Sequence, residues 1–129
     1  MGGTAAIRVP QRVLVVDDVN LNRMLAQAFL SKLGCEIFEA DGGLAALQWL
    51  ANNPPVDLLM LDISMPDLNG EEVCRQLRAN PSFFGLKIVA YTAHASAEDS
   101  VRFLANGFDA VLIKPISRQR LQDVLCQLF

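Results

Sequence analysis

The segment Arg12–Asp18 has the sequence Arg-Val-Leu-Val-Val-Asp-Asp and decides the fold prediction. A short run of aliphatic, largely β-branched residues is typical of a strand buried on both faces, as in a parallel sheet. Four further runs predict strands at residues 35–40, 56–61, 87–91 and 110–113. The first run ends directly at two aspartates, and several of the later runs also end at a polar side chain.

Segments with apolar residues at helical spacing separate these runs. They predict helices over residues 20–33, 43–51, 69–79, 97–105 and 117–128, with Asn20 as the N-cap of the first and Gly34 at its end. Five alternations of strand and helix indicate an α/β fold, with a five-stranded parallel sheet covered by helices on both faces. The 129 residues suit one domain. We expect a flexible lead-in over residues 1–10 and the domain over residues 11–129.

Composition excludes several classes of protein. The chain has 14 acidic and 11 basic residues and is 52% hydrophobic, which argues against intrinsic disorder. It has no basic run, so we expect no direct contact with nucleic acid. No apolar run reaches the roughly 18 residues of a membrane span, so we expect no direct membrane contact. The three cysteines form no C-x-x-C pair, which fits a reducing, cytoplasmic location.

Polar residues stand at the C-terminal ends of four predicted strands: Asp17 and Asp18, then Asp62, Thr92 and Lys114. Parallel strands present these ends on one edge of the sheet, where ligands bind. Three carboxylates brought together repel one another and need a cation, and oxygen ligands favour Mg²⁺, with Mn²⁺ as the other option. A lysine and a threonine can hold phosphoryl oxygens. One carboxylate would be the nucleophile, because no Ser, Cys or His stands in the cluster with a base beside it.

Four segments together carry a resemblance to a known family: Val15–Asp18, Leu61–Gly70, Thr92–Ala95 and Lys114–Ile116. In this order and at these strand ends, the chain resembles the receiver domain of two-component response regulators from Arg12 to Phe129. The sequences of the segments Asp17–Arg23 and Thr92–Ala95 are most similar to those of receivers attached to hybrid sensor histidine kinases. The resemblance implies a flavodoxin-like sheet with strand order 2-1-3-4-5.

The resemblance also implies a chemistry for the carboxylates. Asp62 would accept a phosphoryl group from a phosphohistidine of a histidine kinase or of a histidine phosphotransfer protein. Asp18, Asp62 and the backbone carbonyl of Ser64 would bind Mg²⁺ directly, and Asp17 would act through water. The domain would then catalyse only its own phosphorylation and dephosphorylation, and would not otherwise be an enzyme.

Switch and tuning roles follow from the same resemblance, for Thr92, Ala93, His94, Val111 and Pro115. Thr92 and Lys114 would contact the phosphoryl oxygens, and the Lys114–Pro115 bond would be cis. His94 would affect the lifetime of the phosphoryl group. Val111 departs from the family, which often has Tyr or Phe there, so coupling to the last two β–α units must differ.

Other hypotheses about the function of the chain remain compatible with these residues. A Mg²⁺-dependent phosphatase of the haloacid dehalogenase type also uses a strand-end aspartate, although the order of its acidic motifs differs. A pseudo-receiver that is never phosphorylated is a third hypothesis. The first helix is apolar over a wide face, which predicts either a docking patch for the phosphodonor or a crowded core. Two further hypotheses are a homodimer through the last two β–α units and a place in the cytosolic part of a membrane-bound sensor kinase.

Overall fold

The computed structural model describes residues 9–129 and has five β–α units in chain order. The strands are β1 (Arg12–Val16), β2 (Glu36–Ala40), β3 (Leu58–Asp62), β4 (Lys87–Thr92) and β5 (Ala110–Ile113). The helices are α1 (Asn20–Lys32), α2 (Gly43–Asn52), α3 (Gly70–Arg78), α4 (Ala97–Ala105) and α5 (Arg118–Leu128). The predicted lead-in falls on residues 1–8, which lie outside the described residues, and on Val9 and Pro10, of which Pro10 is buried.

The five strands form one parallel sheet in the order β2-β1-β3-β4-β5, which confirms the predicted fold class. The order reverses between β1 and β3, and these two strands therefore carry the aspartates of the candidate site into the crevice at that edge. No helix among the described residues is long and apolar enough to cross a membrane.

Side chains alternate between the two faces of the sheet and pack into two separate cores. Val13 and Val15 of β1 pack against α1 and α5, where Leu30 and Leu125 are fully buried. Leu14 and Val16 of β1 pack on the other face, against α2, α3 and α4. Since helices cover both faces, the strands are apolar at nearly every position, which is the pattern seen in the sequence.

Two sequence predictions about element ends are wrong. Asn20 does not cap α1: the N-cap is Val19, and the Asn20 side chain accepts a hydrogen bond from Arg23 instead. β3 begins at Leu58 rather than at residue 56, because the Asp57 side chain accepts the backbone amides of Gln11 and Arg12. The predicted end of α1 at Gly34 is confirmed, since Gly34 has φ of 88°.

Two features between the elements have no counterpart in the sequence predictions. A 3₁₀ turn, Pro81–Phe83, stands between α3 and β4. The Asp67 carboxylate accepts the backbone amides of Gly43 and Leu44 at 3.2 and 3.0 Å, and so caps the N-terminus of α2 from a distant loop. These amide bonds hold the pKa of Asp67 below its usual value. This contact ties the loop that follows β3 to the neighbouring β–α unit.

Candidate functional site

Three carboxylates meet at the C-terminal edge of the sheet. Asp17 follows β1, Asp18 comes next, and Asp62 is the last residue of β3. One carboxylate oxygen from each lies within 4.8 Å of the other two. Asp17 and Asp62 are buried, whereas Asp18 is exposed. The edge therefore concentrates negative charge in a pocket that opens to solvent beside Asp18.

The loop after β1 is held so that one oxygen of Asp17 faces this pocket. Asp17 Oδ1 accepts the Val19 amide at 2.9 Å, and the Asp17 carbonyl accepts a bond from Arg23 Nη1 at 2.7 Å. Arg23 is in turn held by Glu39 of β2 at 2.7 Å. This leaves Asp17 Oδ2 for the pocket. Arg23 was not among the predicted site residues, and its position about one turn after the aspartates was the available signal.

Lys114 supplies the only ammonium of the cluster among the described residues. Its Nζ lies 2.6 Å from Asp17 Oδ2 and 3.1 Å from Asp62 Oδ1. The bond to Asp62 is a well-aligned hydrogen bond, whereas the contact with Asp17 is an ion pair without that alignment. The Lys114 amide donates to the Thr92 carbonyl at 2.8 Å, and the Lys114–Pro115 bond is cis.

The pKa of Asp62 reflects this crowding. Burial, together with the nearby Asp17 carboxylate, raises the pKa of Asp62 to about 6, against the opposing effect of Lys114. One ammonium thus fails to balance the three carboxylates, and a buried oxygen of Asp17 has no hydrogen-bond partner. An all-oxygen donor set with excess negative charge suits a hard divalent cation such as Mg²⁺.

The loop after Asp62 is shaped by a close backbone contact. The Gly70 amide donates to the Ile63 carbonyl at 2.9 Å, and a Cβ added at Gly70 would collide with the Asp62 carbonyl oxygen. Any other residue at position 70 would push the start of α3 away from the Asp62 backbone. Ser64 lies in this loop, two residues after Asp62, and is exposed.

Thr92 ends β4 and is 6% exposed. Its hydroxyl donates to the His94 carbonyl at 3.0 Å and therefore has a partner within its own loop. Ala93 and His94 are exposed beside the edge. Val111 is partly buried in β5, where it pairs in register with Ala90 of β4.

The chain matches proteins of known family over nearly its whole length. The family model described as the response regulator receiver domain matches residues 13–126. The chain is 39% identical over 125 residues to the sensor histidine kinase GacS of Pseudomonas protegens, covering 95% of this chain and 13% of GacS. It is 41% identical over 113 residues to the response regulator MprA of Mycobacterium sp. (strain KMS), covering 88% of this chain and 48% of MprA. The chain thus spans a minor part of each relative.

Solved structures show the same architecture. The chemotaxis response regulator CheY4 of Vibrio cholerae superposes with a TM-score of 0.83 at 27% identity, covering 92% of this chain and 98% of that one. The receiver domain of a histidine kinase from Syntrophus aciditrophicus gives a TM-score of 0.80 at 25% identity, covering 92% of this chain and 89% of that one.

Proposed function

The chain belongs to the response regulator receiver domain family, and we propose that Asp62 is its phosphoacceptor in a two-component or phosphorelay system. The observation that carries this assignment is the pairing of Lys114 with both Asp17 and Asp62, at 2.6 and 3.1 Å. The ammonium lies where it can contact an Asp62 carboxylate and, after transfer, the phosphoryl oxygens attached to it.

The proposed reaction is an in-line attack by an Asp62 carboxylate oxygen on the phosphorus of a phosphohistidine. The P–O bond to Asp62 forms as the P–N bond breaks, and the electron pair of that bond leaves with the imidazole. The transition state is loose, so positioning and charge compensation are nearly all it requires. Lys114 compensates part of that charge, and Thr92 can bond a phosphoryl oxygen once its hydroxyl leaves the His94 carbonyl. Water later hydrolyses the acyl phosphate.

A divalent cation belongs to this proposal. Asp17, Asp18, Asp62 and the carbonyl of Ser64 would hold Mg²⁺, or Mn²⁺ in its place. The cation would supply positive charge against the phosphoryl oxygens when bound. The two acids after β1 are suited to it because one is buried and oriented by backbone bonds, while the other is open to solvent.

The assignment of Asp62 is tested by labelling with acetyl phosphate in the presence of Mg²⁺, read by intact-protein mass spectrometry. The wild-type chain gains one phosphoryl group and Asp62→Asn gains none. Asp41→Asn is the matched control, because Asp41 is exposed after β2 at the same sheet edge. Undiminished labelling of Asp62→Asn would remove Asp62 from this role.

The phosphodonor, a histidine kinase or a histidine phosphotransfer protein, is proposed to dock on α1. Leu21 is 61% exposed, Met24 55% and Leu25 38%, so this face is not a crowded core. The donor histidine must come within bonding distance of Asp62, and α1 begins three residues after Asp17. A partner that brings its histidine to Asp62 would therefore come close to the start of α1.

Alanine substitutions at Leu21 and Met24 test this docking surface. We expect slower transfer from a phosphohistidine protein and unchanged labelling by acetyl phosphate, which needs no docking. Phe84→Ala is the control, because Phe84 is 65% exposed just before β4, at the opposite edge of the sheet. Equal transfer rates in all three variants would contradict the docking role.

The open alternatives give different results with beryllofluoride and Mg²⁺. A phosphoacceptor switch binds the complex with a conformational response, and a pseudo-receiver does not bind it. A phosphatase of the haloacid dehalogenase type turns over small phosphate esters. The family membership favours the switch, and we propose that the chain has no separate enzymatic turnover.

The proposal also covers the parent protein, its location in the cell and its association into dimers. Similarity to GacS suggests that the chain is the receiver part of a hybrid histidine kinase acting in the cytoplasm, where its free cysteines stay reduced. A homodimer would use the last two β–α units, and α4 exposes Val101 and Leu104 there. Sedimentation with and without beryllofluoride tests that association.

A further inference from the structure

Tyr91 lies directly beneath the acidic edge. It is the penultimate residue of β4, is fully buried, and pairs in register with Asp62 of β3 and with Leu112 of β5. Side chains alternate along strands, and Tyr91 belongs to the core with Val15, Met60 and Leu112. Two positions further along each of those strands come Asp17, Asp62 and Lys114. The Tyr91 ring therefore packs directly beneath the charged cluster.

The ring makes a direct contact with the cluster. Lys114 Nζ lies 4.9 Å from the centroid of the Tyr91 ring, within the range of a cation–π interaction. The same ammonium contacts Asp17 and Asp62, so two carboxylates and one aromatic face surround it. Cation–π attraction is strongest where water is excluded, and the Lys114 side chain is only 13% exposed.

The hydroxyl of Tyr91 takes no part in this contact. It is buried and has no hydrogen-bond partner among the described residues. Burial, with the nearby Asp17 and Asp62 carboxylates, raises the pKa of Tyr91 to about 12, so the group stays neutral near pH 7. The ring and the hydroxyl can therefore be tested apart, because only the ring faces the ammonium.

We propose that Tyr91 is a positioning residue for Lys114: its ring holds the ammonium between Asp17 and Asp62, ready to contact an arriving phosphoryl group. This rests on the proposed phosphoacceptor function for its consequence, but the ring–ammonium contact exists without phosphorylation. A free lysine side chain has many rotamers, and the ring restricts them before the reaction begins.

The contact is measured first in the unphosphorylated, Mg²⁺-free protein by NMR. The Lys114 side-chain methylene protons next to Nζ should be shifted upfield by the ring current in wild type and in Tyr91→Phe. The shift should vanish in Tyr91→Leu. Phe108→Leu is the matched control, since Phe108 is 3% exposed in the other core and does not face the site. An unshifted Lys114 in folded wild type would overturn the proposal, whatever the fate of Asp62.

The effect of this contact on phosphorylation is measured as the rate of labelling by subsaturating acetyl phosphate. Tyr91→Leu should be slower by roughly 3- to 30-fold, the span that corresponds to cation–π energies in partly desolvated sites. Tyr91→Phe should stay close to wild type, and Phe108→Leu should change by less than about twofold. Equal losses in Tyr91→Phe and Tyr91→Leu would assign the effect to the hydroxyl and overturn the proposal.

If Tyr91→Leu does not fold, a fluorinated aromatic ring at position 91 still allows the role of the ring to be tested. Replacing Tyr91 by phenylalanine and by 3,4,5-trifluorophenylalanine keeps the ring shape while fluorine weakens its negative face. We expect slower labelling with the fluorinated ring and the same melting temperature within about 2 °C. Identical rates for both rings would show that ring electrostatics do not position Lys114. If Asp62→Asn is still labelled while the Lys114 shift persists, the phosphoacceptor proposal fails and the positioning contact stands.

Discussion

Replacing Asp62 by asparagine should stabilise the fold in Mg²⁺-free buffer near pH 7. The reason is the pKa of Asp62, which burial and Asp17 raise from 3.8 to about 6. A carboxyl whose pKa is higher in the folded than in the unfolded state binds its proton more readily when folded. Its ionised form therefore destabilises the fold above about pH 6, and asparagine removes that ionised form.

The size of the expected gain in stability follows from the shift in the pKa of Asp62. A rise of about two pKa units corresponds to roughly 3 kcal/mol at pH values above 7, at about 1.4 kcal/mol per unit. The substitution also weakens the 3.1 Å hydrogen bond from Lys114, because a neutral amide oxygen then accepts it, whereas Lys114 keeps its 2.6 Å contact with Asp17. We therefore expect a net gain of about 1–3 kcal/mol, which would move a urea midpoint upward by about 1 M.

Urea denaturation of wild type and Asp62→Asn in EDTA, between about pH 4 and 8, measures this gain. The difference in free energy of unfolding should be largest near pH 7.5. It should shrink as the pH falls through about 6 towards 4, because the wild-type carboxyl is then protonated. Adding Mg²⁺ near pH 7.5 should stabilise wild type more than Asp62→Asn, since the cation binds the folded carboxylates.

Asp41→Asn serves as the control, because Asp41 is exposed at the same edge and contributes no buried charge. Its stability should follow wild type at every pH. If Asp62→Asn is no more stable than wild type near pH 7.5, or if its advantage grows on acidification, ionised Asp62 does not destabilise the fold.

Three further outcomes follow from contacts at the site. Gly70→Ala should cost about 2 kcal/mol or more in thermal unfolding, since its Cβ would collide with the Asp62 carbonyl, whereas Gly85→Ala, with open space around it, should be nearly neutral. Asp67→Ala should lower stability by about 1 kcal/mol in urea, because it removes the cap of α2. His94→Ala should alter the phosphoryl lifetime, followed by phosphate release, without preventing labelling, since His94 is exposed beside Thr92 and contacts it through its backbone. An unchanged lifetime would count against the tuning role.

Local patterns were sufficient for the fold. Buried strands such as Val13–Val16 need apolar side chains on both faces, and capped helices need turn residues such as Gly34, so each element leaves a signal within its own residues. The predicted ends of an element were wrong where a side chain binds backbone groups from a distant part of the chain. Asp57 delays the start of the third strand from the predicted residue 56 to Leu58, because its side chain accepts the amides of Gln11 and Arg12, more than 40 residues away. Nothing near Asp57 in the sequence indicates those partners.

The α/β class, the edge on which the polar strand ends meet and the residues at that edge could all be predicted from the order of residues in the chain. Parallel strands leave no choice about which ends share an edge, so Asp17, Asp62 and Lys114 could be placed together. Their geometry became known from the three-dimensional fold: Asp17 is buried while Asp18 is exposed, Lys114 bridges Asp17 and Asp62, and the Tyr91 ring contacts the lysine. Such details depend on angstrom-scale packing between residues far apart in the chain, and local patterns do not encode it.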